Sequence, residues 1–346
     1  MNARPRLLIT GATGFVGSHL AEAFRGRGHA VVALARDGSE TAFLEQLGVT
    51  LQRGDLNDRE AVARAVQDVE VVVHCAAKVG DWGPIEAYRA VNVEGLRNLL
   101  EACRGIPLRR FVHLSTLGVY AARHHYGTDE SEPPPERHID GYTQTKVEGE
   151  RLVLEYHREH QLPAVVLRPG FVYGPRDRTV LPKLVASLKQ RLVRYLGSRR
   201  RALNAIYVGN LTDAVELAIK NPQAVGRVYN LTDGEFVSKE RFIGSIVRSL
   251  ELPPPGLLAV PLWLARTVAF VLERQARLQR APEPPALTQA RIKFLGLNLD
   301  FSIERARQEL GYRPRVSFDE GMARTMAWYR EAEYNHPQAT GPQSVA

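Results

Sequence analysis

The sequence predicts an α/β fold built on a doubly wound parallel sheet, with a smaller C-terminal lobe. Three observations carry that expectation: short, uniformly apolar runs alternate with longer segments of helical period, a glycine-rich turn directly follows the first run, and the alternation fades past Arg168. The apolar runs are Leu7–Thr10 and residues 30–35, 49–53, 69–76, 111–115 and 164–167. Strands buried on both faces read as continuous β-branched runs, and right-handed crossovers between them wind the sheet.

The length of 346 residues, with 44% hydrophobic and 24% charged residues, excludes fibrous and largely disordered classes. Residues 1–170 read as a nucleotide-binding unit to which later segments return, 171–330 as mainly the substrate lobe, and 331–346, polar with Pro, Gln, Gly and Ser, as a disordered tail. Proline-rich breaks at 253–255 and 282–285 punctuate the lobe. Two cysteines, Cys75 and Cys103, make no disulfide framework, which predicts a reduced, cytoplasmic setting. No Cys/His spacing suits zinc, so no metal is expected.

No apolar leader precedes the first strand, so no secretory signal is expected. The most apolar long run, 256–272, is broken by Pro261 and Arg266 and falls short of a membrane span; a buried or interfacial helix is expected there. The net charge of +8 raises nucleic acid as a partner, but Arg199, Arg200 and Arg201 form only a short cluster without interleaved aromatics. We therefore expect no nucleic-acid binding, and a basic surface that steers anionic ligands or meets acidic lipid.

The segment from Gly11 through Gly14 to Gly17 separates the first strand from a helical pattern. Glycines here let the backbone turn sharply and approach a pyrophosphate, while the helix N-terminus offers free N–H groups and positive potential. Gly11, Thr13, Gly14, Phe15 and Gly17 are the candidate contacts. The second strand ends at Ala35-Arg36; an arginine there suits the 2′-phosphate of NADP, whereas Asp37 keeps NAD open. Farther on, Tyr142 and Lys146 stand four residues apart and share a helical face. A phenol titrates near pKa 10, so acid–base work at neutral pH calls for adjacent positive charge, which Lys146 and an oxidised nicotinamide would supply.

The Gly-x-x-Gly-x-x-Gly spacing together with Tyr142 and Lys146 resembles the extended short-chain dehydrogenase/reductase family, from Leu7 to about Arg330. The resemblance implies that Asp55 and Leu56 meet the adenine, that Ala76 and Ala77 let the cofactor cross the sheet edge, and that Pro169 and Val172 lie against the nicotinamide. It implies Thr116 as the hydroxyl that joins Tyr142 and Lys146 at the reacting centre, with Ser115 behind it. Sugar-nucleotide dehydratases of the family carry Asp-Glu after that threonine; Leu117 and Gly118 stand here instead.

The runs 76–84, 90–95, 301–303, 309–314 and 318–321 are similar to the 3β-hydroxysteroid dehydrogenase and sterol C4-decarboxylase branch, which includes bacterial reductases of 2-alkyl-3-oxoalkanoates. The implied activity is interconversion of a secondary alcohol and a ketone on a small apolar, sterol-like or long-chain substrate, using NADP or NAD, by a chain that pairs as a homodimer. A nucleotide-sugar epimerase or reductase is the competing enzyme reading, and a non-catalytic dinucleotide sensor the competing non-enzyme. One departure is Gly209, where relatives usually carry Asp; it touches a helix cap or hinge, not the chemistry. Bulky apolar residues between Leu257 and Leu278 bind substrate, touch a membrane surface as a peripheral contact, or close the lobe's own core.

Overall fold

Leu7, Leu8 and Ile9 are wholly shielded from water because the first strand is an interior strand of a seven-stranded sheet. The structure is a computed structural model and describes residues 4–256 and 258–335. Its strands are β1 (Leu7–Thr10), β2 (Val31–Ala35), β3 (Thr50–Arg53), β4 (Val71–His74), β5 (Arg110–Leu114), β6 (His125–Thr128), β7 (Ala164–Pro169), β8 (Phe171–Tyr173), β9 (Ala205–Tyr207), β10 (Val228–Leu231) and β11 (Leu299–Phe301). The central sheet runs β10-β7-β5-β4-β1-β2-β3, parallel throughout. β8 pairs with β9, and β6 with β11, in two small satellites.

The helices are α1 (Phe15–Gly26), α2 (Ala42–Gln46), α3 (Arg59–Ala65), α4 (Ile85–Arg89), α5 (Leu96–Cys103), α6 (Gly141–His160), α7 (Val180–Lys189), α8 (Val208–Lys220), α9 (Lys239–Ser249), α10 (Leu262–Leu278), α11 (Gln289–Gly296) and α12 (Phe318–Asn335). A π-helical stretch, Ala90–Gly95, joins α4 to α5. Alternation along each strand sends Leu7 and Ile9 to one face, against Leu20 and Phe24 of α1 and Leu211 and Val215 of α8. Leu8 and Phe111 face the other way, against α3, α5 and α6. Both faces are covered, as the unbroken apolar runs require.

The chain order reverses at β1, whose neighbours are β2 and β4, so a crevice opens beyond the strands' C-terminal ends between them. A second core, built by Tyr173, Tyr207, Phe242, Phe318 and Met322, holds β8, β9, α7, α9 and α12 together above that edge. β10 and the satellite strands were not expected from the sequence; each is short, and β8, β9 and β11 hold three residues apiece. The helix α12 continues to Asn335, so the residues from Glu331 onward that were expected in a disordered tail begin inside a helix. Positions 336–346 and Leu257 lie outside the described residues.

Candidate active site

The turn after β1 admits glycine alone at two points. Gly11 has φ +69°, and a Cβ there would come within 2.8 Å of the Ala76 backbone; a Cβ on Gly17 would lie 2.1 Å from the Gly11 carbonyl oxygen. Gly14 caps α1 without a side-chain hydrogen bond, and the first turn holds no acidic residue. By contrast, Asp58, Asp140, Ser238 and Thr288 cap α3, α6, α9 and α11 with their side chains. The N–H groups of α1 are thus left for an anion, and the cradle fits the pyrophosphate of a dinucleotide.

The other cofactor candidates fall along the same edge. Thr13 and Gly14 are exposed at the tip of the turn, while Phe15 is half-buried and packs its ring edge against His19. Arg36 is exposed just past β2, with Arg53 donating to its carbonyl oxygen from the end of β3. Asp55 is half-buried past β3 and accepts from the Asn57 N–H at 2.9 Å. The Leu56 side chain belongs to the core, so only its backbone remains for a ligand. Ala76 and Ala77 are half-buried past β4, and Ala76 N–H donates to Thr10 Oγ1 at 3.3 Å. Pro169 closes β7, and Val172 lies in β8 between the two cores.

The candidate reacting groups lie at the end of β5 and in the first turns of α6. Asp140 accepts from the Thr143 N–H and hydroxyl, both at 2.7 Å, and so starts α6 with Tyr142 in its first turn. One turn on, Lys146 is buried and donates to the Leu114 carbonyl oxygen at 2.5 Å. Thr116 is half-buried; its Oγ1 accepts from the Gly118 N–H at 3.0 Å, leaving its own hydrogen free to donate. Ser115 Oγ behind it is buried without a hydrogen-bond partner among the described residues.

Burial, reinforced by the Asp140 carboxylate, pushes the Tyr142 phenol up to about 12. Burial also lowers Lys146 to about 8, against the opposing pull of Glu150. Desolvation of the ring's charged form, with the Asp140 charge, sets the direction of the Tyr142 shift. In this state Tyr142 holds its proton at neutral pH.

Several supports escaped the sequence because their partners are distant in the chain. The Asn92 side chain, in the π-helical stretch, accepts from Lys78 N–H at 2.7 Å and donates to Lys78 O at 3.0 Å and Thr145 Oγ1 at 2.9 Å. It thereby ties the loop after β4 to the residue preceding Lys146. Lys293 of α11 donates to the carbonyl oxygens of Gly118 and Tyr120 at 2.5 and 2.7 Å, holding the Thr116 loop from below. Behind the site Glu150 and Arg168 form a buried ion pair at 2.6 Å, and Arg168 donates to the Tyr120 hydroxyl at 2.9 Å. His74 and His113 stack at 5.4 Å; burial and the Lys146 charge lower both, His74 to about 3, so both rings are neutral at pH 7.

Gly209 lies in the first turn of α8, which has no side-chain cap and no acid there. The neighbouring Asn210 ties α8 elsewhere, donating to Asp233 and Val316 O, both at 2.8 Å. Of the bulky residues around α10, Trp263, Phe270, Val271 and Leu278 are exposed, so they do not close the lobe's core. No helix among the described residues is long and apolar enough to cross a membrane, and no group of three or more His, Cys, Asp or Glu among them could hold a metal ion.

The 2-alkyl-3-oxoalkanoate reductase of Shewanella oneidensis is 32% identical, over 92% of this chain and 85% of its own. The decarboxylating sterol-4-alpha-carboxylate 3-dehydrogenase of Candida albicans is 29% identical, over 94% and 97%. The crystal structure of Thermus thermophilus UDP-glucose 4-epimerase in complex with NAD superposes with a TM-score of 0.73 at 26% identity, over 94% of this chain and 99% of that one. Residues 7–232 match the NAD dependent epimerase/dehydratase family, and the chain belongs to that family as an NAD(P)-dependent oxidoreductase.

Proposed function

We propose that the protein interconverts a ketone and a secondary alcohol on an apolar 3-oxo or 3-hydroxy substrate, long-chain or sterol-like, with a preference for NADP. The redox reading is supported by Lys146, bound to the end of β5 one helical turn after Tyr142 on α6, and by Thr116 just past that strand, on the sheet edge that also carries the glycine turn. When bound, the nicotinamide supplies or accepts the hydride. Thr116 and Tyr142 both direct hydroxyl hydrogens at the substrate oxygen, and Tyr142 passes its proton to that oxygen as the carbonyl is reduced. Lys146, pinned on Leu114 O, holds a positive charge that offsets the phenolate left behind. A phenol that rests protonated suits the reductive direction.

The substrate class is supported by the named activities of the Shewanella and Candida relatives, which act on a 2-alkyl-3-oxoalkanoate and a sterol carboxylate. The cofactor preference rests on Arg36, exposed past β2 with no acidic residue before it. Free thiols at Cys75 and Cys103 suit a reducing, cytoplasmic setting. The test is oxidation of NADPH and NADH by purified protein with 2-alkyl-3-oxoalkanoates, 3-oxosteroids and UDP-sugars, together with the reverse reaction on 3β-hydroxysterols. Turnover with the first two classes and a preference for NADPH that Arg36→Ala removes are expected. Turnover of UDP-sugars alone would replace this reading with epimerase chemistry.

A further inference from the structure

Water sorts an amphipathic helix so that its large apolar side chains face inward. α10 is sorted the other way. Ala265, Ala269 and Ala276 face the protein, the first two in a small cluster with Leu196 and Ile292. Trp263, Phe270, Val271 and Leu278 face out at 70%, 60%, 57% and 78% exposure, flanked by Leu264 and Val268. At 100° per residue these form one stripe opposite the alanines.

The charge on this helix is one-sided. Arg266, Arg274 and Arg277 are exposed, while its single carboxylate, Glu273, is half-buried and accepts from the Gln289 N–H at 2.7 Å. Apolar anchors that include a tryptophan, interleaved with arginines whose stems can lie along them, match the boundary between acyl chains and anionic headgroups. The far end of α10 adjoins the active-site rim: Arg277 lies over the Trp82 ring, and Trp82 Nε1 donates to Ala281 O at 2.9 Å, within the loop that follows Ala76 and Ala77.

We propose that α10 docks this protein on the surface of a bilayer containing anionic lipid, its outward stripe seated among the acyl chains and Arg266 and Arg274 on lipid phosphates. A lipid occupant, rather than a protein, follows from the stripe in which apolar and cationic side chains alternate; it rests also on the apolar-substrate reading above, since such substrates partition into bilayers. The loop carrying Trp82 then places the mouth of the site beside that surface.

The test is co-sedimentation of the full chain with vesicles of phosphatidylcholine alone and of phosphatidylcholine containing roughly one third phosphatidylglycerol. Binding to the mixed vesicles, weaker on the neutral ones and falling with salt, is expected. Phe270→Ser with Val271→Ser should lower partitioning by about tenfold or more, and Arg266→Glu with Arg274→Glu by a similar factor. All four side chains are exposed, so an unchanged thermal midpoint verifies folding. Absence of binding to mixed vesicles, or binding that neither variant weakens, overturns the proposal. So does self-association in sedimentation velocity that the Phe270/Val271 variant abolishes while vesicles go unbound, which assigns the stripe to a second copy. Vesicle binding is read without substrate or dinucleotide, so failure of the redox reading and failure of this one are separately visible.

Discussion

Lys146 Nζ and the Leu114 carbonyl oxygen stand 2.5 Å apart, which binds the second turn of α6 to the end of β5. The next two residues of that strand's path are Ser115 and Thr116, so the contact fixes the ammonium relative to the hydroxyls at the end of β5. It also keeps a charge inside the protein, where burial lowers Lys146 to about 8.

Removing the phenolic hydroxyl isolates its role. Tyr142→Phe should lower kcat by about 10²–10⁴, the usual worth of a positioned general acid. Dinucleotide affinity, measured by fluorescence titration, should stay within about twofold, since the pyrophosphate cradle is untouched. Retained turnover would remove Tyr142 from the proton path.

The pH profile of reduction follows from the same pair. The proposed mechanism needs Lys146 charged and Tyr142 protonated; as pH rises through about 8, Lys146 loses its proton first, whereas Tyr142 holds on to about 12. kcat/KM should be level below about pH 7 and fall above about pH 8. His74, already neutral down to about 3, contributes no acid limb near neutral pH, and burial lowers His113 in the same direction. Lys146→Arg, whose charge persists, should move the falling limb upward even at reduced kcat.

The ion pair behind the site is a matter of stability. Arg168→Met leaves the Glu150 carboxylate buried and unpaired, and should cost about 3–5 kcal/mol in urea unfolding. Adding Glu150→Leu should recover much of that loss. Equal destabilisation in the single and double variants would show that lost packing, not a stranded charge, sets the cost.

The glycine turn can be probed without touching the chemistry. Gly17→Ala places a methyl group 2.1 Å from the Gly11 carbonyl oxygen, so the turn must open. Weakening of dinucleotide binding by about tenfold or more is expected by titration. Unchanged affinity would mean that the pyrophosphate lies elsewhere.

The site's components were legible where local spacing carries the physics. Gly11, Gly14 and Gly17 follow an apolar strand and open a helix, and Tyr142 and Lys146 stand one turn apart, so backbone geometry alone brings out their chemistry. Lys293, Asn92 and Asn210 gave no such signal, because each matters only through a partner far along the chain. The direction of the Tyr142 shift was also hidden, since desolvation depends on what packs around the ring.

The order of apolar runs and glycines determined, from the chain alone, a parallel sheet with a dinucleotide crevice at its edge, because strand burial and turn conformation are local properties of residue type. Only the tertiary structure decided which face of α10 meets the protein. A run of Leu, Trp, Val and Phe reads alike whether it closes a core or faces outward, and it is the inward placement of Ala265, Ala269 and Ala276 that turned the bulky side chains to the surface.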